Sequence, residues 1–231
     1  MTHWTKTVTA VAFGLATVAL PASAQHRDDH ELRLRAGLFE PEGDSDYWDD
    51  NLDQYIEEVA DYEGPTFGLD YRLGLGGRLG LLFSVEGTEA ENTRAYRDFV
   101  DERGRDIINT ATLEVTSATV GLMVYLAPTH SPVQPYVGVG GGIYGYTLSE
   151  EGEFVDFSDD DAIFDDYFET DGTALGYYIL AGLDIPVGNQ FSIFAEGRWH
   201  RAEDELDGDF EGFGDLDLSS RSITGGVSFK F

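Results

Sequence analysis

LGYYILAGLDIPVGNQFSIFAEGRWH, residues 175–200, contains two runs of alternating side chains around a short turn. Leu175, Tyr177, Ile179, Ala181 and Leu183 share one face of the first run, and Phe191, Ile193, Ala195 and Trp199 share one face of the second. A period of two belongs to a strand, and two such runs around residues 186–190 make a hairpin. The opposite face holds Gly176, Gly182, Glu196, Arg198 and His200, a mixture of very small and charged side chains. In a soluble sandwich the polar face is solvated and glycine is not favoured there. In a narrow barrel whose outside meets lipid, glycine makes room and charges turn inward.

The same pattern recurs along the chain. Leu32, Leu34, Ala36 and Leu38 alternate with Arg33, Arg35 and Gly37, and Phe67, Leu69, Tyr71 and Leu73 alternate with Gly68, Asp70 and Arg72. A Gly74–Gly77 turn leads to Leu79, Leu81, Phe83 and Val85, set against Gly80, Ser84 and Glu86. Val120, Leu122, Val124 and Leu126 form a fourth block. Leu113 and Val115 upstream are apolar in the opposite phase, which implies either a bulge or an end that projects beyond the apolar zone. PYVGVGGGIYGY, residues 135–146, and Ile223, Val227, Phe229 and Phe231 complete the set. The reading is an all-β, eight-stranded, antiparallel up-and-down transmembrane barrel, since an even, closed sheet leaves no backbone group unpaired in hydrocarbon. A soluble barrel with its apolar side inward is the reverse arrangement.

Composition agrees. Lys+Arg 14 against Asp+Glu 44 gives a net charge of -30, which excludes nucleic-acid binding through a basic surface. With 42% hydrophobic and 13% aromatic residues the chain is too rich in core-forming side chains for disorder, and Cys 0 removes disulfides and thiolate chemistry. The apolar run Val8–Leu20 is too short for a spanning helix. With Lys6 before it, and Pro21 and Ala22-Ser23-Ala24 after it, residues 1–24 read as a secretory signal peptide, which leaves a barrel domain over 25–231.

The connections alternate in length. Segments 74–78, 127–134 and 186–190 are short, whereas 40–63, 88–111, 148–172 and 201–217 are long. Short turns are expected in the periplasm and the four long acidic loops outside. The first loop has acids from Glu40 to Glu63 with no Lys or Arg, and the third runs from Glu150 to Asp171 in the same way. This charge reads first as a solvated, self-repelling surface, and second as weak Ca²⁺ or Mg²⁺ binding that bridges to anionic lipid. No EF-hand spacing occurs, so no ligand is assigned. Phe154, Phe157, Phe164, Tyr167 and Phe168 among the acids point to packing in the third loop.

PYVGVGGGIYGY, residues 175–200 and the terminal SITGGVSFKF resemble the OmpA-type and opacity-protein family of eight-stranded outer-membrane barrels, and more distantly the OmpW family. The resemblance implies an outer-membrane monomer in contact with outer-membrane lipid and lipopolysaccharide. It also implies that Phe229 and Phe231 are the signal read by the barrel assembly machinery, and it implies no single activity. No peptidoglycan-binding domain is expected after Phe231.

Arg33, Arg35, Asp70, Arg72, Glu86, Glu196 and Arg198 read as a charge ladder filling the lumen, because charges in a confined interior must be paired. Arg35 and Asp70 are expected at similar depth, with Glu86, Glu196 and Arg198 in a higher cluster. His200 is the one histidine placed like a catalytic base, but Arg201, Ala202 and Glu203 follow it where lipid A deacylases carry a Ser-Asn, so it reads as a rim histidine beside Trp199. No catalytic residue, cofactor or metal is assigned. The functional reading is a non-enzymatic surface protein with acidic extracellular loops, and the alternative is a narrow porin-like channel for ions or small solutes.

Overall fold

A computed structural model of the chain describes residues 30–43, 45–57, 59–128, 131–157 and 162–231. The 1–24 segment read as a signal peptide lies outside the described residues. Among the described residues nine strands occur: β1 (His30–Pro41), β2 (Gly64–Gly76), β3 (Leu79–Val100), β4 (Asp106–Tyr125), β5 (Gln134–Asp156), β6 (Ala162–Val187), β7 (Phe191–Glu205), β8 (Asp215–Asp217) and β9 (Ser220–Lys230). Consecutive strands pair antiparallel from β1 to β7, and β9 pairs with both β7 and β1, so eight long strands close a ring. The ninth strand, β8, is a three-residue addition paired to the end of β7 and lies outside the ring.

Closure follows from the alternation. Leu34 of β1 lies opposite Leu69 of β2 and Val227 of β9, and the outward Leu, Val, Ile and Phe of every ring strand are exposed on the outer wall. About nine residues per strand carry this apolar face, which at a tilt of roughly 40° spans the ~25 Å expected for a lipid-facing band. Tyr71, Phe191, Phe229 and Phe231 mark its edge near the termini and short turns, and Phe67, Tyr177 and Trp199 mark the opposite edge. Inward glycines admit large neighbours. A Cβ on Gly68 would collide with the Arg35 guanidinium, and one on Gly121 with the Tyr178 hydroxyl.

The long connections differ from the sequence expectation. Segments 88–111 and 148–172 are mostly strand, because β3 and β4 run together to Val100 and Asp106, and β5 and β6 run to Asp156 and Ala162. Segment 40–63 holds a helix, α1 (Asp46–Gln54), and a short 3-10 turn (Val59–Tyr62), while 201–217 holds the end of β7, a second 3-10 turn and β8. The acids drew the reading toward loops, yet on these strands they occupy mainly the outward positions, with Glu150 inward and buried. Glu89, Glu91, Glu114, Glu151, Glu169 and Asp171 are exposed, while Ala90, Leu113, Val115, Leu148 and Ala174 between them point inward and are buried. The β3–β4 register runs without a shift from Leu79 to Ala95, so the opposite phase of Leu113 and Val115 is not a bulge. It marks the height at which the wall leaves lipid and its polarity reverses.

That upper interior is a hydrophobic core closed by α1. Tyr47 and Trp48 insert among Leu113, Tyr146, Leu148 and Leu216, with Trp48 edge-on to Tyr62 at 4.9 Å. The Trp48 indole donates to the Asp217 carbonyl at 3.1 Å, and the Ser45 hydroxyl accepts the Asp217 backbone N–H at 3.0 Å, which ties the helix to β8. Leu113→Ala and Leu148→Ala should each cost about 2–5 kcal/mol through cavity formation, whereas the outward Glu114→Ala should stay within about 0.5 kcal/mol. Urea unfolding of refolded protein, followed by tryptophan fluorescence, measures both, and a loss for Glu114→Ala as large as for Leu113→Ala would contradict the reversed polarity.

Candidate functional site

The lower interior is built by side chains that the strand alternation sends inward across the lipid-facing band. Glu31, Arg33 and Arg35 come from β1, Asp70 and Arg72 from β2, Glu86 from β3, Asp184 from β6, and Glu196, Arg198 and His200 from β7; all are buried. All seven residues of the expected ladder therefore face the bore. Glu31, Asp184 and the tyrosines Tyr125 and Tyr136 belong to the same assembly and were not singled out from sequence. Glu31 is detectable only by extending the β1 phase one step, and Asp184 only by extending that of β6.

The pairing is a network rather than two tiers. Asp70 lies 3.4 Å from the Arg35 Nε and 2.8 Å from an Arg198 Nη, and Arg35 also pairs with Glu86. The expectation of a separate higher cluster of Glu86, Glu196 and Arg198 fails, because the arginine side chains are long enough to cross the step between neighbouring inward positions. Arg198 pairs with Glu196 as well, and Arg33 lies 3.6 Å from Glu196, 3.3 Å from Glu31 and 4.0 Å from Asp184. Arg72 lies 3.4 Å from Glu31. Tyr136 holds two charged groups, accepting from Arg33 at 2.6 Å and donating to Glu196 at 2.9 Å, and Tyr125 donates to Asp184 at 2.9 Å. The Arg33 guanidinium lies over the Phe194 ring at 3.9 Å, so its apolar faces are covered as well as its edges.

His200 is not a rim residue. It is 4% exposed, its Nδ1 lies 3.1 Å from the Tyr144 hydroxyl, and its Nε2 lies 3.4 Å from Glu86. It sits where the charged lower interior meets the apolar upper core, and its side chain is buried.

A second buried arginine sits at the outer end. Arg94 of β3 lies 2.6 Å from Glu150 and 3.2 Å from Glu57, donates to Asn51 at 2.6 Å and Asn109 at 2.8 Å, and stacks over the Tyr55 ring at 3.9 Å. Burial opposes its charge, but the facing Tyr47 and Glu150 hold the guanidinium well above its ordinary value. Burial also pushes Tyr47 and Tyr62 up, so both remain protonated and donate to Glu150 and Glu57. These contacts bind the α1 segment to β3, β4 and β5.

Phe229 and Phe231 lie on the outer wall near the short turns. Phe229 packs against Phe191 with tilted rings at 5.1 Å and stacks on Phe231 at 5.9 Å, and Phe231 stacks on His30 at 5.8 Å. Among the described residues no cluster of His, Asp and Glu has the arrangement of a metal centre.

The sequence matches the family model described as "Outer membrane protein beta-barrel domain" over residues 9–231. No curated protein sequence matches the chain closely enough to be counted. Among solved structures, Neisserial surface protein A aligns with a TM-score of 0.50 at 14% identity, covering 90% of this chain and 100% of that one. OprG of Pseudomonas aeruginosa aligns at 0.49 and 13% identity, covering 89% and 97%, and Ail of Yersinia pestis at 0.46 and 16%, covering 88% and 99%. At these identities the likeness concerns the fold alone.

Breaking one pair of the network leaves a buried charge without its partner. Glu196→Gln and Arg198→Gln should each cost about 3–5 kcal/mol, and the double variant should cost clearly less than their sum. Thermal unfolding of the refolded variants in detergent measures this, and harmless single changes would mean the bore is wet enough to screen them.

Proposed function

This chain belongs to the outer-membrane β-barrel family and is an outer-membrane protein, and we propose that it serves there as a non-enzymatic, non-conducting surface protein that presents rigid acidic hairpins to its surroundings. The observation that carries this reading is the filling of the interior: a continuous ion-pair network across the lipid-facing band, and above it an apolar core closed by Tyr47 and Trp48. A path for ions would have to break both. The β3–β4 and β5–β6 hairpins continue well past the band, with apolar residues inside and carboxylates outside, which makes them stiff platforms. In this reading the hairpin end faces the cell exterior and the short turns and termini face the periplasm, as the short-turn rule for such barrels requires.

The remaining parts of the reading follow the same frame. Residues 1–24 direct secretion, and the stacked Phe229 and Phe231, exposed to lipid at the closing strand, present the motif that the barrel assembly machinery engages. The barrel works as a monomer among outer-membrane lipid and lipopolysaccharide. The outward carboxylates, including Glu89 directly opposite Glu114, repel one another and favour divalent cations as loosely held counterions. The channel alternative would require the ion-pair network and the apolar core to rearrange, and His200 is buried where the two meet.

Purified refolded protein should leave a planar bilayer electrically silent, and reproducible single-channel steps would overturn the sealed interior. Protease added to intact cells should cut at the ends of the β3–β4 and β5–β6 hairpins and spare residues 77–78 and 188–190; cleavage confined to those turns would invert the orientation. Shortening the two hairpins should abolish attachment to cells or matrix without lowering the amount of folded barrel.

A further inference from the structure

The opening at the short-turn end of the barrel differs in charge from the rest of the molecule. A cavity of 520 Å³ lies there, lined by Arg72, Arg78 and Lys230 together with the neutral polar groups of Gln134, Asn189 and Ser192. Its described lining holds three cations and no carboxylate, in a chain whose net charge is -30. We propose that this mouth is a binding site for a phosphate group, held by Arg72, Arg78 and Lys230.

The lining residues are available for this. Lys230 faces inward at the last step of β9, and neither it nor Arg78 has a carboxylate within ion-pair distance among the described residues. Arg78 spends one Nη on the Leu126 carbonyl at 3.0 Å. Arg72 forms the inner wall; it is anchored at 3.4 Å by Glu31 and stacked at 4.9 Å over Tyr125, so its guanidinium is fixed before any ligand arrives. The Ser192 hydroxyl is 1% exposed and has no hydrogen-bond partner, a cost that a bound oxygen would relieve. The nearest carboxylates, Glu31 at the level of Arg72 and Lys230 and Asp184 at the level of Gln134, are already engaged, Glu31 by Arg33 and Arg72, and Asp184 by the Tyr125 hydroxyl at 2.9 Å. Gly76, Gly77 and Gly188 have φ of 100°, 63° and 85° and nothing within 4 Å of where a Cβ would stand, which keeps the rim low and the mouth open.

A phosphate suits this set better than a carboxylate. Its second charge and its additional oxygens can engage two guanidinium groups, an ammonium and a hydroxyl together, whereas a monovalent carboxylate would leave cations unmatched. The volume also admits an esterified phosphate. Inorganic phosphate and the phosphomonoester headgroup of phosphatidic acid offer the same group, and the experiment separates them.

The full chain, refolded in an uncharged glucoside detergent, is titrated calorimetrically with inorganic phosphate and, as a control, with acetate. In parallel it is incubated in mixed micelles containing phosphatidic acid, and retained lipid is read by native mass spectrometry. Lys230→Gln with Arg78→Gln leaves the buried network intact and should weaken binding about tenfold or more, and Ser192→Ala should weaken it by a smaller factor. Heat-modifiable gel mobility confirms that each variant has folded. Inorganic phosphate bound and weakened by these changes supports the site for the free anion; retention of phosphatidic acid alone, with the same sensitivity, supports it for a headgroup. Binding of neither, equal binding by the double variant, or acetate bound as well as phosphate would overturn the proposal.

Discussion

Everything in this molecule depends on the requirement that no backbone N–H or C=O be left unpaired in hydrocarbon. A sheet meets it only by closing, and here closure is made where β9 pairs with β7 on one side and β1 on the other, from Ser192 opposite Ser228 to Glu31 opposite Lys230. Once eight strands close, the bore is too narrow to hold much besides side chains. The interior must then be packed, and its contents must be compatible with alternating strands whose other face is committed to lipid.

Across the band the interior is packed with charge. Desolvating an unpaired arginine or carboxylate costs several kcal/mol, so each of these groups is tolerable only with its partners in place. Asp70 serves Arg35 and Arg198, Glu31 serves Arg33 and Arg72, and Tyr136 bridges Arg33 to Glu196. Inward glycines are the complement of these long side chains: Gly68 admits Arg35, and Gly121 and Gly140 admit Tyr178. The network spans neighbouring strands around the ring and also reaches across the bore, since Tyr136 of β5 holds Arg33 of β1. It braces the barrel in directions that backbone hydrogen bonds do not.

Above the band the solvent outside the wall changes from lipid to water, and the polarity of the strands reverses with it. Leu113, Leu148 and Ala174 turn inward on the strands whose Leu122, Val139 and Ile179 point outward lower down. A barrel end with an apolar inside has to be capped, and α1 supplies Tyr47 and Trp48 for that purpose, clasped by Arg94 from the wall and by Asp217 from β8. The lower network and the upper core meet at His200, whose neighbours Glu86 and Tyr144 belong one to each. The two seals brace the interior, and the strands continue beyond them as acidic hairpins at one end and open into a cationic mouth at the other.

The sequence by itself determined the alternation, the closed eight-stranded ring and the inward direction of Arg33, Arg35, Asp70, Arg72, Glu86, Glu196 and Arg198, because a period of two is a local property that any strand must obey. It did not determine where the strands stop. In water an acidic stretch reads as a loop, and only the pairing of β3 with β4 and of β5 with β6 shows that every second residue is buried against a core contributed by distant segments. Nor did it decide the partners of the buried charges, since those depend on register and on the reach of arginine across the bore. The choice of α1 as the cap, the engagement of Glu31 and Asp184, and the gathering of Arg72, Arg78 and Lys230 at one opening likewise belong to the tertiary structure. They bring together residues far apart in the chain, and closure of the ring is the physical event that makes them neighbours.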